Sequence, residues 1–140
     1  MQKKSKDKFK EKSFKRYLLS FKYSFDGLRY AFYHEKNLFL LIIFGILELL
    51  LGIVLNVSYT ERLIIVVLIG ATLCIELLNT AIEASVNLIT REKKEDAKHA
   101  KDAASGAVAV FSIFHLIIVL IIFIPKIILL FRWYLCMKSY

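Results

Sequence analysis

The chain has 140 residues, 58% of them hydrophobic, with a mean hydropathy of +0.59 and a formal net charge of +8. That length suits one domain, and so apolar a composition excludes an ordinary soluble one. Nucleic acid is a poor explanation of the positive charge, because an anionic lipid surface is the nearer partner of such a chain.

Residues 1–12 are Lys-rich and read as a frayed tail. From Phe14 onward, Tyr17, Leu18, Phe21, Phe25, Leu28 and Phe32 recur mostly at three- and four-residue steps, with Lys15, Arg16 and Lys22 between them. This pattern predicts an amphipathic helix lying in the membrane interface. The first apolar block begins only at Leu38 and no small-residue cleavage site follows it, so the N-terminus does not read as a signal peptide.

Three apolar blocks follow, at residues 38–55, 63–78 and 103–131. Each is long enough, alone or with its flanks, to cross about 30 Å of hydrocarbon as a helix. The spans are expected at residues 37–55, at 61–89 with a polar inner part after Glu76, and from near Asp102 onward. Residues 91–101 read as a charged, partly helical connection. The small residues Ala103-Ala104-Ser105-Gly106-Ala107 permit close helix approach. Pro125 is expected to kink the outer end of the third span, and Trp133 and Tyr134 suit an interfacial belt. The expected parts are a tail and surface helix at 1–36, a three-helix domain at 37–135 and a short tail at 136–140. So small a bundle has little interior, which predicts an oligomer. Cys74 and Cys136 read as free thiols packed like small apolar residues. No CxxC or zinc spacing is present. The sequon Asn56-Val57-Ser58 falls in a short turn and reads as chance.

Eleven of the 20 Lys and Arg residues precede Leu38, the first turn offers only Arg62, and the second loop carries Arg91, Lys93, Lys94, Lys98 and Lys101. The positive-inside rule then puts the N-terminus and second loop in the cytoplasm and the C-terminus outside, in a multi-pass protein of the cell membrane.

The second span is where the chemistry gathers. Glu76, Asn79 and Glu83 fall at i, i+3 and i+7 and share one helix face. A carboxylate at the centre of a membrane helix costs roughly 2.5–3.5 kcal/mol on insertion scales, so two on one stripe point to use. The spacing puts Glu83 at the cytoplasmic edge and Glu76 about 10 Å deeper. Glu35, before the first span, and Lys101 and Asp102, before the third, belong level with Glu83. Hard oxygen ligands beside a lysine suit Mg²⁺ and a phosphate-bearing substrate. No P-loop is present, so a nucleotide would be held by Mg²⁺ and side chains. Such a group suits phosphoryl transfer to a lipid alcohol, with Glu76 orienting or deprotonating the hydroxyl. The other reading is that these polar groups satisfy one another across an oligomer interface. Outside this group, Glu48 and His115 lie at depths only about 5 Å apart. They can pair across helices, or Glu48 can face a water-filled gap while His115 bonds a backbone carbonyl.

The stretches Glu76-Leu77-Leu78-Asn79-Thr80-Ala81-Ile82-Glu83 and Ala100-Lys101-Asp102-Ala103-Ala104-Ser105-Gly106-Ala107-Val108 resemble the signature of the small prokaryotic diacylglycerol kinases. Ser20-Phe21-Lys22-Tyr23-Ser24-Phe25-Asp26-Gly27-Leu28-Arg29 and Glu35-Lys36-Asn37 match the same pattern, so the likeness spans roughly residues 20–110. The resemblance implies an all-α membrane protein, a homotrimeric bundle of three transmembrane helices per chain with an amphipathic N-terminal helix. It implies ATP with Mg²⁺ as phosphoryl donor and a lipid alcohol as acceptor. Glu76 would be the catalytic base, Glu35 and Glu83 the Mg²⁺ ligands, and Asn79, Lys101 and Asp102 the holders of nucleotide and phosphate. The wording is closer to the undecaprenol kinases of Gram-positive bacteria than to the diacylglycerol kinases. The chain departs from that branch in turning apolar straight after Asn37, in its highly charged block at residues 91–96 and in carrying Glu48. A non-catalytic membrane scaffold or channel is the rival from another class. A lipid phosphatase finds no clustered Arg/His motif to support it.

Overall fold

In a computed structural model, the backbone is described for residues 2–138 apart from 91 and 93, and side chains from residue 15 onward. Phe14, Arg91 and Lys93, named above, lie outside the described side chains. The described residues form four helices: α1 (Gln2–His34), α2 (Lys36–Val54), α3 (Tyr59–Ile89) and α4 (Glu95–Lys138). The last three are long and apolar enough to cross a membrane, and no strand occurs among the described residues.

The chain divides into two compact units, Met1–Lys36 and Asn37–Tyr140. The first is α1. It starts at Gln2, where the sequence reading placed a frayed tail, because the Lys, Gln and Glu residues there are good helix formers and no Gly or Pro precedes Gly27. Its aromatic residues from Tyr17 onward, including Phe21, Phe25 and Tyr33, are exposed.

In the second unit, α3 and α4 form the main packed pair. Their core joins Ile65 and Leu68 of α3 to Val119, Ile122 and Phe123 of α4, with Val57 from the turn. The buried face of α3 then continues through Thr72, Glu76, Asn79 and Thr80. One stripe is therefore apolar over its first half and polar over its second. Along α2 the buried residues are Leu38, Gly45 and Gly52, seven apart. At Gly45 the helices come so close that a Cβ would stand 2.8 Å from Ile69 Cγ2. In the small-residue run 103–107, where close approach was expected, Ala104 is buried, while a Cβ at Gly106 meets nothing within 4 Å.

The start of α3 is well fastened. Ser58 caps α3, accepting from the Glu61 amide at 3.3 Å while the Ser58 amide donates to Glu61 Oε2 at 2.7 Å. Such a cap stabilises by about 1 kcal/mol. Asn56 before it takes a positive φ of 49°, which Asn tolerates. The sequon thus forms a tight turn and helix cap. Lys126 of α4 pairs with Glu61 at 3.2 Å and ties the same end.

Two boundaries of α4 differ from the sequence reading. α4 starts at Glu95, seven residues before Asp102, because Glu95 and Asp96 sit favourably in its first turn. It continues to Lys138, into the expected tail, with Pro125 inside it. Cys74 and Cys136 are free but exposed; Cys74 lies between the buried positions Thr72 and Glu76 and is turned off their stripe.

Candidate functional site

Glu76 is 2% exposed and Asn79 9%, both on the polar half of the α3 stripe. Asn79 Nδ2 donates to Glu83 Oε1 at 3.4 Å. Asn79 Oδ1 is buried and has no hydrogen-bond partner among the described residues. A buried acceptor left this way costs about 1–3 kcal/mol, so it invites a ligand. Thr80 Oγ1 donates to the Glu76 backbone carbonyl at 3.0 Å.

A second group lies where α3 ends and α4 begins. A cavity of about 390 Å³ is lined there by Val86, Asn87, Thr90, Lys98, Lys101 and Asp102, among others. Lys101 Nζ donates to Asn87 Oδ1 at 2.6 Å, which aims the ammonium across the gap between the helices. Asp102, the next residue, is turned about 100° around the helix and is exposed. Asn87 is a residue that sequence reasoning missed; the signal was its position on the α3 face one turn beyond Glu83.

The structure thus brings Asn79 together with Glu83, and Lys101 with Asp102 at one cavity. Among the described residues no three of His, Cys, Asp or Glu come close enough together to hold a metal ion. Glu35 belongs to the first unit, at the break between α1 and α2. The donor set still fits Mg²⁺, which takes hard oxygens and one or two carboxylates with phosphate oxygens completing its shell. The unpartnered Asn79 carbonyl beside the Glu83 carboxylate supplies that chemistry.

Deeper in the membrane, the pairing considered for Glu48 is formed. His115 Nε2 lies 3.1 Å from Glu48 Oε2. His115 Nδ1 lies 2.7 Å from Thr72 Oγ1, a partner the sequence reading did not name.

The described residues are thus mainly helical, with three segments long and apolar enough to cross a membrane and a carboxylate–amide–carboxylate stripe toward the end of α3. The family model of prokaryotic diacylglycerol kinase matches residues 22–123. The chain belongs to that family and is a lipid kinase of the membrane, with ATP as co-substrate. No curated protein was found to match it.

Proposed function

We propose that the protein phosphorylates undecaprenol at the expense of ATP. The observation that carries the catalytic part is Glu76, a carboxylate 2% exposed on a membrane-crossing helix, in line with Asn79 and Glu83. The acceptor assignment rests on the wording of the two motifs. Diacylglycerol is the second reading, favoured by the family the chain belongs to.

Glu76 accepts the proton of the lipid hydroxyl as that oxygen attacks the γ-phosphorus. The bond from phosphorus to the bridging oxygen breaks, ADP leaves, and the proton on Glu76 returns to solvent. Lys101, held by Asn87, and Asp102 orient the nucleotide at the cavity between α3 and α4. Asn79 orients the transferring group. Glu83, with the unpartnered Asn79 carbonyl beside it, would hold Mg²⁺, which would neutralise charge on the phosphates. The protein works as a trimer, with N-terminus and second loop in the cytoplasm and α1 on the anionic membrane surface.

The test is γ-phosphate transfer from labelled ATP by purified protein in micelles containing undecaprenol or diacylglycerol. Glu76→Gln is expected to lower transfer by about 10²–10⁴-fold, the range of a general base, while eluting as the same oligomer. A scaffold would instead show no transfer in the wild type, and Glu76→Gln would alter assembly or nothing.

A further inference from the structure

Glu48, Thr72 and His115 come one each from α2, α3 and α4, and none has a part in the transfer step above. Their hydrogen bonds can be counted out. Thr72 Oγ1 lies 2.8 Å from the Leu68 carbonyl oxygen, which can only accept, so the single hydroxyl proton goes there. Thr72 must then accept from His115 across their 2.7 Å contact. That fixes the proton on His115 Nδ1. The other contact, His115 Nε2 to Glu48 Oε2 at 3.1 Å, needs one more proton between nitrogen and oxygen. The pair is an imidazolium with a carboxylate, or an imidazole with a carboxylic acid. Either way its net charge is zero, the state a hydrocarbon setting tolerates. Each proton is used within the network, so the network holds helices together.

What it holds is the catalytic segment. Thr72 stands one helical turn before Glu76 on the same buried stripe. Thr80, one turn after, bonds the Glu76 carbonyl. Gly45, three residues before Glu48, lets α2 close on α3 at Ile69. A cleft of about 260 Å³ lies along this junction, lined by Gly45, Glu48, Ile69, Thr72, Ser112 and His115 among others, so apolar packing alone does not fill it.

We propose that Glu48, His115 and Thr72 are positioning residues that lock α2 and α4 against the turn of α3 carrying Glu76. They hold its carboxylate at the depth of the acceptor hydroxyl. This rests on Glu76 being the base.

The experiment compares wild type, Glu48→Leu, His115→Leu, the double variant and Glu48→Gln in the micelle transfer assay, with saturating lipid alcohol and varied ATP. In Glu48→Gln the new side-chain amide can donate its N–H to His115 Nε2 and so restores the bond without the shared proton. Each leucine variant is expected to lower kcat by about 10–100-fold, as small misplacements do, with the KM for ATP within about twofold of wild type. The double variant should match the single ones, since one unit is broken in each. Glu48→Gln should return to within about threefold of wild type, because a neutral hydrogen bond still links the helices. Wild-type kcat in a folded Glu48→Leu protein, losses that multiply in the double variant, or a Glu48→Gln protein as slow as Glu48→Leu each overturns the proposal. If Glu48→Leu does not fold, Glu48→Gln with Thr72→Ser against Thr72→Val puts the same question, the valine alone expected to be slow. A wild type that phosphorylates no lipid alcohol is a different failure, that of the catalytic reading itself.

Discussion

At the scale of single residues, the lysine end of the site offers the plainest numbers. If Lys101 holds the nucleotide as proposed, Lys101→Ala removes a charged hydrogen bond of about 1.5–3 kcal/mol and is expected to raise the KM for ATP roughly 10–150-fold. Asn87→Ala leaves the charge but frees it from its 2.6 Å anchor. It should raise the same KM by only about 2–10-fold, the range of one ordinary hydrogen bond. Initial rates at varied ATP check both, and equal effects would mean that Asn87 itself meets the nucleotide. Lys101 was named from its motif, whereas Asn87 was not. It lies past the polar run, and an amide near a helix end is common enough to pass unnoticed. Thr72 escaped for a related reason: a threonine inside an apolar helix ordinarily bonds its own i−4 carbonyl, and this one does so too. Only the imidazole brought against it by another helix gives it a second partner, and a single helix pattern does not contain that contact.

At the scale of elements, apolar length made the three spans readable and glycine contacts decide how they pack. Gly45→Ala places a methyl 2.8 Å from Ile69 Cγ2, on a β-branched side chain that cannot readily turn aside. A destabilisation of about 1–3 kcal/mol is expected, as in other overpacked cores. Gly70→Ala adds a methyl where nothing lies within 4 Å, and should leave stability unchanged or raise it by up to about 1 kcal/mol through helix propensity. Thermal unfolding in detergent separates the two, and equal melting temperatures would remove the close crossing of α2 and α3. The small-residue run at the start of α4 carried the expectation of tight packing because composition alone cannot say which glycine meets a neighbour. The start of α4 was placed late for a similar reason. Residues 95–101 carry no apolar periodicity, and their helical state shows only in the acidic first turn.

For the whole molecule, the distribution of Lys and Arg gives an orientation that the free cysteines can report. Cys136 is exposed near the end of α4, and the proposed topology puts it outside. A membrane-impermeant maleimide added to intact cells should therefore label Cys136 and leave a Cys136→Ser protein unlabelled. Labelling that appears only after the membrane is opened would reverse the topology. The divided stripe of α3 has a consequence that holds for either orientation. Ile65 and Leu68 make one half dry, while Thr72, Glu76, Asn79 and Thr80 make the other half polar. Every group proposed for the transfer step on this helix lies in the half toward Ile89. The reaction is then confined to one leaflet, and an acceptor whose hydroxyl faces the opposite leaflet is out of reach until it crosses. Turnover in a sealed membrane would draw down one leaflet's pool and then settle to the rate at which lipid alcohols change sides, a limit that detergent micelles abolish.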